Sequence, residues 1–236
     1  MAVRAIGLAG LGAAALAWSA PAAAPLVPAV ASAFGIRTRL GRPGIALTFD
    51  DGPHAQGTPA VLEHLARRDL VATFFLVGEQ VERYPSLAAE IAAAGHEIAL
   101  HCHRHTLLLR RSPKTVEQDL DRAVATIEDA TGRSPSCYRP PYGVFSAASL
   151  AFARRRGWVP TLWSRWGRDW EARATPDVIA RRAGAGLVSG DVVLLHDADH
   201  YSSRDSWMRT VAALPQVLDS AQSLGVPLVS MTEASA

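Results

Sequence analysis

The feature that most constrains this chain is an alternation running most of its length, in which short apolar runs are separated by longer amphipathic stretches. Strands are predicted at Ile45–Phe49, Ala72–Val77, Glu97–Leu100, Ser136–Tyr138, Val159–Trp163, Val192–Leu195 and Pro227–Val229. Helices are predicted between them at Pro59–Arg68, Pro85–Ala94, Lys114–Thr131, Ala147–Arg156, Pro176–Leu187 and Trp207–Leu224. In Lys114–Thr131 the apolar residues Val116, Leu120, Val124 and Ile127 recur at intervals of four, four and three, which is one buried face of a helix. Pro opens several of these helices, and Gly95, Gly132 and Gly225 close three. Strand alternating with helix about seven times argues for a parallel sheet closed, or nearly closed, into a barrel. A chain of 236 residues and 25.1 kDa suits one such domain with a short N-terminal appendage.

The appendage is distinct in composition. After Arg4, no charge occurs from Ala5 to Ile36. Ala5–Ala17 has the apolar character of a secretory signal, whereas Pro21, Pro25 and Pro28 interrupt a single clean membrane helix. Residues 1–42 are therefore read as a signal peptide or membrane anchor, giving a secreted or membrane-associated protein of the cell envelope. The alternative is an apolar arm folded onto the domain at residues 43–236. A formal charge of +2 is too mild to argue for a nucleic-acid partner. The two cysteines, Cys102 and Cys137, do not make a disulfide scaffold and are read as free thiols.

In a parallel barrel the active site lies where the strands end. The apolar runs here end in ionisable clusters: Asp50-Asp51, His101-Cys102-His103-Arg104-His105, Arg139-Pro140-Pro141-Tyr142-Gly143, Gly167-Arg168-Asp169-Trp170 and His196-Asp197. Five such clusters on one rim exceed what chance supplies. Adjacent Asp50 and Asp51, between the run Gly44–Leu47 and a Gly-Pro turn, are costly to bury unless a cation takes up their charge. The spacing of His101 and His105 predicts two imidazoles on one side of a helical turn. With a carboxylate they form the kind of His-His-Asp set that binds zinc and leaves a position for water. Such a water loses its proton near neutral pH and becomes a nucleophile. His103 is expected to point away, as a support to the ligands or an exposed residue. Trp163, Trp166 and Trp170 suit either the core or a sugar site, and the Arg154–Arg156 run reads as a solvated helix face.

Taken together, the TFDDGP run, His-x-x-x-His, RPPYG, the Asp-Trp pair and LLHD resemble the five ordered motifs of the polysaccharide deacetylases. These are carbohydrate esterase family 4 enzymes with the nodulation-factor deacetylase homology domain. The resemblance spans Gly44 to Val229 and implies a distorted (β/α)7 TIM-like barrel with a single catalytic domain. It further implies that Asp51, His101 and His105 hold a divalent metal, zinc by preference. Asp50 would be the general base, with Arg139 paired to it. His196 would be the general acid, kept cationic by Asp169. The Tyr142 backbone N–H would stabilise the oxyanion. Pro140, Tyr142, Trp170 and Leu194 would contact an N-acetylated glycan, of peptidoglycan or chitin type, and release acetate from it.

Two departures from that pattern stand out. Cys102 follows the first metal histidine where the family has Ser or Thr, and Gly167-Arg168 precedes Asp169 where the family often carries another Asp. Neither removes a ligand or an acid/base group. The competing readings are deformylation, hydrolysis of a non-sugar amide or ester on the same fold, and carbohydrate binding without turnover. A serine hydrolase is disfavoured because no Gly-x-Ser-x-Gly elbow occurs.

Overall fold

Successive side chains on a strand face opposite sides, so strand parity decides which residues become core and which become site. In a computed structural model of the chain, whose described residues are 17–232, strands lie at β1 Ala46–Asp50, β2 Thr73–Val77, β3 Glu97–Cys102, β4 Cys137–Tyr138, β5 Val159–Pro160, β6 Arg165–Trp166 and β7 Val192–His196. All neighbours are parallel, in the order β5-β4-β3-β2-β1-β7-β6. β5 and β6 follow one another in sequence yet occupy the two ends of this order. The sheet therefore curls round on itself as a distorted (β/α)7 barrel with one seam, crossed by residues 161–164. Arg37 lines the β5 side of the seam, donating its N–H to Pro160 O (2.8 Å) and accepting from Leu162 N (2.7 Å).

The α-helices are α1 Pro28–Ala33, α2 Gly57–Ala66, α3 Gly78–Arg83, α4 Pro85–Ala93, α5 Pro113–Thr131, α6 Ala147–Arg155, α7 Pro176–Gly184 and α8 Ser206–Gln222. α5 buries the four apolar residues anticipated for it, and Ala123 with them. Ser112 caps its start by accepting from Thr115 N (3.2 Å), and Gly132 ends it at φ 65°. Each fully buried Val, Leu or Ile on such a face contributes about 1.5–3 kcal/mol.

Two predicted strands are corrected. Val159–Trp163 stops at Pro160 as a strand of the sheet, because the next residues cross the seam with only a single bridge, Thr161 to Arg37, before the chain rejoins the sheet at Arg165. Pro227–Val229 makes a single bridge, Ile45 to Leu228. From Ala46 and Thr48 onward, both edges of β1 are already taken by β7 and β2, so nothing beyond Ile45 is left to pair with.

Parity then sorts the side chains. Leu47, Phe49, Phe74, Leu76, Ile98, Leu100, Val193 and Leu195 face the helices in the main core. Ala46, Phe75, Ala99, Cys137 and Val192 form a smaller apolar cluster inside the barrel. Two or four residues further along the same inward face come Asp50, His101, Arg139 and His196. The interior is thus apolar in the middle and ionisable at the rim.

The segment from Trp18 to Arg42 packs on the domain. Trp18 Nε1 donates to Leu109 O (3.2 Å), and Ala24, Ala31 and Ile36 join the main core. Residues 5–16 of the apolar run lie outside the described residues. Among the described residues no helix is long and apolar enough to cross a membrane. Cys102 and Cys137 are free and buried.

Candidate active site

Asp50 is the last residue of β1 and Asp51 the first beyond it, at φ 79°. Few side chains tolerate that backbone region, and such residues collect where geometry serves a site. Gly52 follows because nothing larger fits: a Cβ there would lie 2.4 Å from Asp197 Oδ2. The turn sends the two carboxylates to different partners.

Asp50 Oδ1 accepts from Arg139 Nη1 (2.6 Å), which also donates to Thr48 Oγ1 (2.9 Å). Arg139 is completely buried, its Nη2 donates to Leu162 O (3.0 Å), and its guanidinium lies 4.0 Å from the Phe75 ring centroid. A guanidinium so confined fixes the carboxylate it holds. The Arg139 carbonyl in turn accepts from His101 Nδ1 (2.7 Å). A carbonyl only accepts, so Nδ1 carries a proton and Nε2 is the ring nitrogen turned toward Asp51.

That Nε2 lies 3.4 Å from Asp51 Oδ1, and His105 Nε2 lies 3.3 Å from the same oxygen. Asp51 Oδ1 is buried and has no hydrogen-bond partner. Burial lowers His105 to about 4, which keeps it a neutral donor of electron pairs. Burial also opposes ionisation of Asp51, but the surrounding histidines, with the cationic His196 among them, outweigh it and hold the carboxyl well below its ordinary value. An electron-pair donor on His105, the Nε2 of His101 and an unpartnered carboxylate oxygen converge. Two ligands of one tetrahedral zinc ion, each about 2.0–2.1 Å away, lie about 3.4 Å apart. Both Asp–His separations fit that geometry, and the three ligand atoms lie within 4.8 Å of one another. The donor set suits a divalent metal.

His101 and His105 do not share a helical turn as the spacing suggested. β3 runs through Cys102, and the loop after it brings His105 back to the same oxygen. His103 does point away, toward Glu82 (3.8 Å), but it is buried rather than exposed, and it fits only because residue 78 is glycine.

His196 ends β7 opposite Asp50 in the strand register. Asp169 accepts twice from it, at the backbone N (2.7 Å) and at Nδ1 (2.9 Å), and once from Thr210 Oγ1 (2.8 Å). Burial disfavours the imidazolium, but the charge and hydrogen bond of Asp169, with Asp51 and Asp50 nearby, prevail and raise His196 to about 10. His196 Nε2 lies 4.0 Å from Asp51 Oδ2, which puts this imidazole beside the Asp51–His101–His105 group.

Asp50, Asp51, His101, His105 and His196 open into a pocket of about 220 Å³. Tyr142, Trp170 and Leu194 line it, whereas Pro140 is buried and does not. Tyr142 sits at φ 60° and Gly143 at φ 69°. A Cβ on Gly143 would meet the Trp163 ring at 2.7 Å, so this left-handed pair needs its glycine. Trp163, Trp166 and Trp170 form a row with successive centroids 5.5 and 5.7 Å apart, ending on His196 at 5.4 Å. Trp166 is 36% exposed and Tyr142 58% exposed, which leaves two aromatic rings at the mouth. Tyr201, absent from the sequence reading, also lines the pocket and stacks on His105. The tyrosine beside His200, four residues past Asp197, was the only signal of it, and no pattern marked it.

The polysaccharide deacetylase family model matches residues 37–160. The chain belongs to the polysaccharide deacetylase family. It is 35% identical over 191 residues to a peptidoglycan-N-acetylglucosamine deacetylase of Bacillus cereus, covering 80% of this chain and 86% of the relative. It is also 35% identical over 191 residues to a chitooligosaccharide deacetylase of Azorhizobium caulinodans, covering 78% and 90%. Among solved structures it resembles the Bc1960 peptidoglycan N-acetylglucosamine deacetylase with a TM-score of 0.78 and 26% identity, over 86% of this chain and 95% of that one. The chain is a deacetylase of this family, and its fold is the family's barrel.

Proposed function

We propose that this deacetylase removes N-acetyl groups from a glycan of the peptidoglycan or chitooligosaccharide type, using a divalent metal held by Asp51, His101 and His105. One observation carries the reading. A candidate base, Asp50, and a candidate acid, His196, stand at the ends of neighbouring strands, and both open into the pocket that holds the three metal donors. A cation bound there, zinc by the chemistry of these donors, would polarise the acyl carbonyl and acidify a water. Asp50, oriented by Arg139, would accept the proton of the attacking water as its oxygen adds to the acyl carbon. The Tyr142 backbone N–H faces the charge gathering on the acyl oxygen; one such donor typically supplies about 3–4 kcal/mol. His196, with Nδ1 engaged by Asp169, gives a proton from Nε2 to the departing nitrogen as the C–N bond breaks. Trp170 and Leu194 wall the acetyl methyl, and the ring of Tyr142 borders the sugar.

The relatives' glycan substrates and the exposed aromatic rings at the pocket mouth support the substrate class. Retention of both Asp50 and His196 supports turnover over binding alone, which needs neither. The relatives named for peptidoglycan and the uncharged run at residues 5–36 together favour a place in the cell envelope, with a leader or anchor within residues 1–42. The test is acetate release by zinc-loaded protein on a panel of N-acetylated glycans, run beside Asp50→Asn. Acetate from one glycan that the variant fails to release supports the reading. No acetate from any glycan overturns it.

A further inference from the structure

The two metal histidines are supported in different ways. A ligating histidine almost always donates its second ring N–H to a partner that fixes the ring and its tautomer. His101 follows this rule through the Arg139 carbonyl. His105 has no such partner on another residue: its Nδ1 is buried and has only its own backbone carbonyl within reach. Its ring is held by aromatic faces. Tyr201 stacks on it with centroids 4.3 Å apart and planes 9° from parallel, and Tyr142 meets it edge-on at 4.7 Å.

Tyr201 is itself tethered. Its hydroxyl donates to Glu79 Oε1 and accepts from Gln80 Nε2 at 2.8 Å. The amide of Gln80 is oriented by Arg83, which donates to Gln80 Oε1 (3.3 Å). Glu79, Gln80 and Arg83 all belong to α3, whereas Tyr201 lies in the loop between β7 and α8. The ring that covers His105 is thereby pinned from an element other than its own. Tyr142 offers no such anchor, being the most exposed aromatic side chain at the pocket.

We propose that Tyr201 is a positioning residue for the metal site: through its hydroxyl tether to Glu79 and Gln80 it fixes the His105 ring by stacking, in place of the hydrogen bond that fixes His101. The inference rests on the metal reading above and adds the residue that makes His105 a preorganised ligand. Stacking restricts tilt of the imidazole without engaging Nδ1, so the tether matters as much as the ring.

The experiment compares wild type, Tyr201→Phe and Tyr201→Ala in zinc affinity, measured by competition with a chromogenic chelator. The visible ligand-field spectrum of each cobalt-loaded protein is recorded alongside, since it reports geometry at the ion rather than overall folding. Loss of an outer support of this kind weakens metal binding about 10–100-fold. That loss, with shifted cobalt bands, is expected for Tyr201→Ala. Tyr201→Phe keeps the ring but loses the tether, and a smaller loss with the same direction of band shift is expected. Wild-type affinity and spectrum in both variants, or in Tyr201→Phe alone if Tyr201→Ala does not fold, overturns the inference. Failure of the wild type to bind either ion would instead sink the metal reading itself.

Discussion

Where the barrel strands begin, the buried Glu97 carboxylate accepts from Thr73 Oγ1 (2.7 Å), Ser136 Oγ (2.6 Å), Met231 N (2.7 Å), Thr232 N (3.2 Å) and Thr232 Oγ1. Where they end, Asp51 Oδ1 is equally buried and accepts from nothing. Asp191, also at the starting end, shows the same fullness as Glu97: Arg39, Ser164, Arg165 and Val188 N all donate to it. One end spends its carboxylates on holding strands and tail together. The other leaves an oxygen of Asp51 facing two imidazole nitrogens. An unmet buried acceptor is expensive, and a fold retains one where a ligand will meet it. Glu97 and Asp191 therefore read as structure, and the unmet oxygen of Asp51 as site.

Substitutions at the two ends should separate these roles. The largest effect is expected for Asp50→Asn, which should cut kcat/KM by roughly 10²–10⁴-fold, the usual share of a general base. Zinc binding by that variant should persist, measured by chelator competition, and wild-type turnover would dismiss the base assignment. His101→Ala should lose metal and activity together. At the other end, Glu97→Ala should cost roughly 2–4 kcal/mol in urea unfolding, because several buried donors lose their acceptor. Activity per folded molecule should scarcely change. If Glu97→Ala is instead stable and inactive, the contrast between the ends is wrong.

Chelation should remove activity reversibly and lower the melting temperature of wild type but not of His101→Ala. Zinc at a hundredfold excess over its Kd would contribute about 2.7 kcal/mol. A smaller effect concerns protons. His96, just before β3, is buried against Phe74, and burial lowers it to about 4. Its folded value lies below the ordinary 6.5, so its contribution is present above pH 6.5 and is lost as pH falls from there toward 4. Between pH 7 and pH 5 that loss is about 2 kcal/mol. It should vanish in His96→Leu, and equal pH dependence of the two proteins would remove His96 as the cause.

Much of this contrast was legible in the residues, for a reason rooted in strand parity. Ala46, Thr48 and Asp50 share one face of β1, and so do Val192, Leu194 and His196 of β7. Once the apolar members of each series face inward, the ionisable members must meet at the rim. Three features escaped the sequence. The Val159–Trp163 run looks continuous, and only the closing of the barrel breaks it. Arg165–Trp166 is too short and too polar to announce a strand, yet β7 offers it an unpaired edge. The tether of Tyr201 to Glu79 spans 122 positions and follows no period. Local pattern sets which face a side chain takes, whereas seams and long-range clamps are settled by the assembled barrel.

The Glu97 knot bears on where this chain can be cut. Two of its donors are backbone N–H groups of Met231 and Thr232, and Met231 is wholly buried beside them. Tolerance to trimming follows burial and hydrogen bonding of the affected backbone rather than nearness to a terminus. A protein shortened to end at Ser230 would pull the stopper from the base of the barrel. An affinity tag fused after Thr232 leaves it seated.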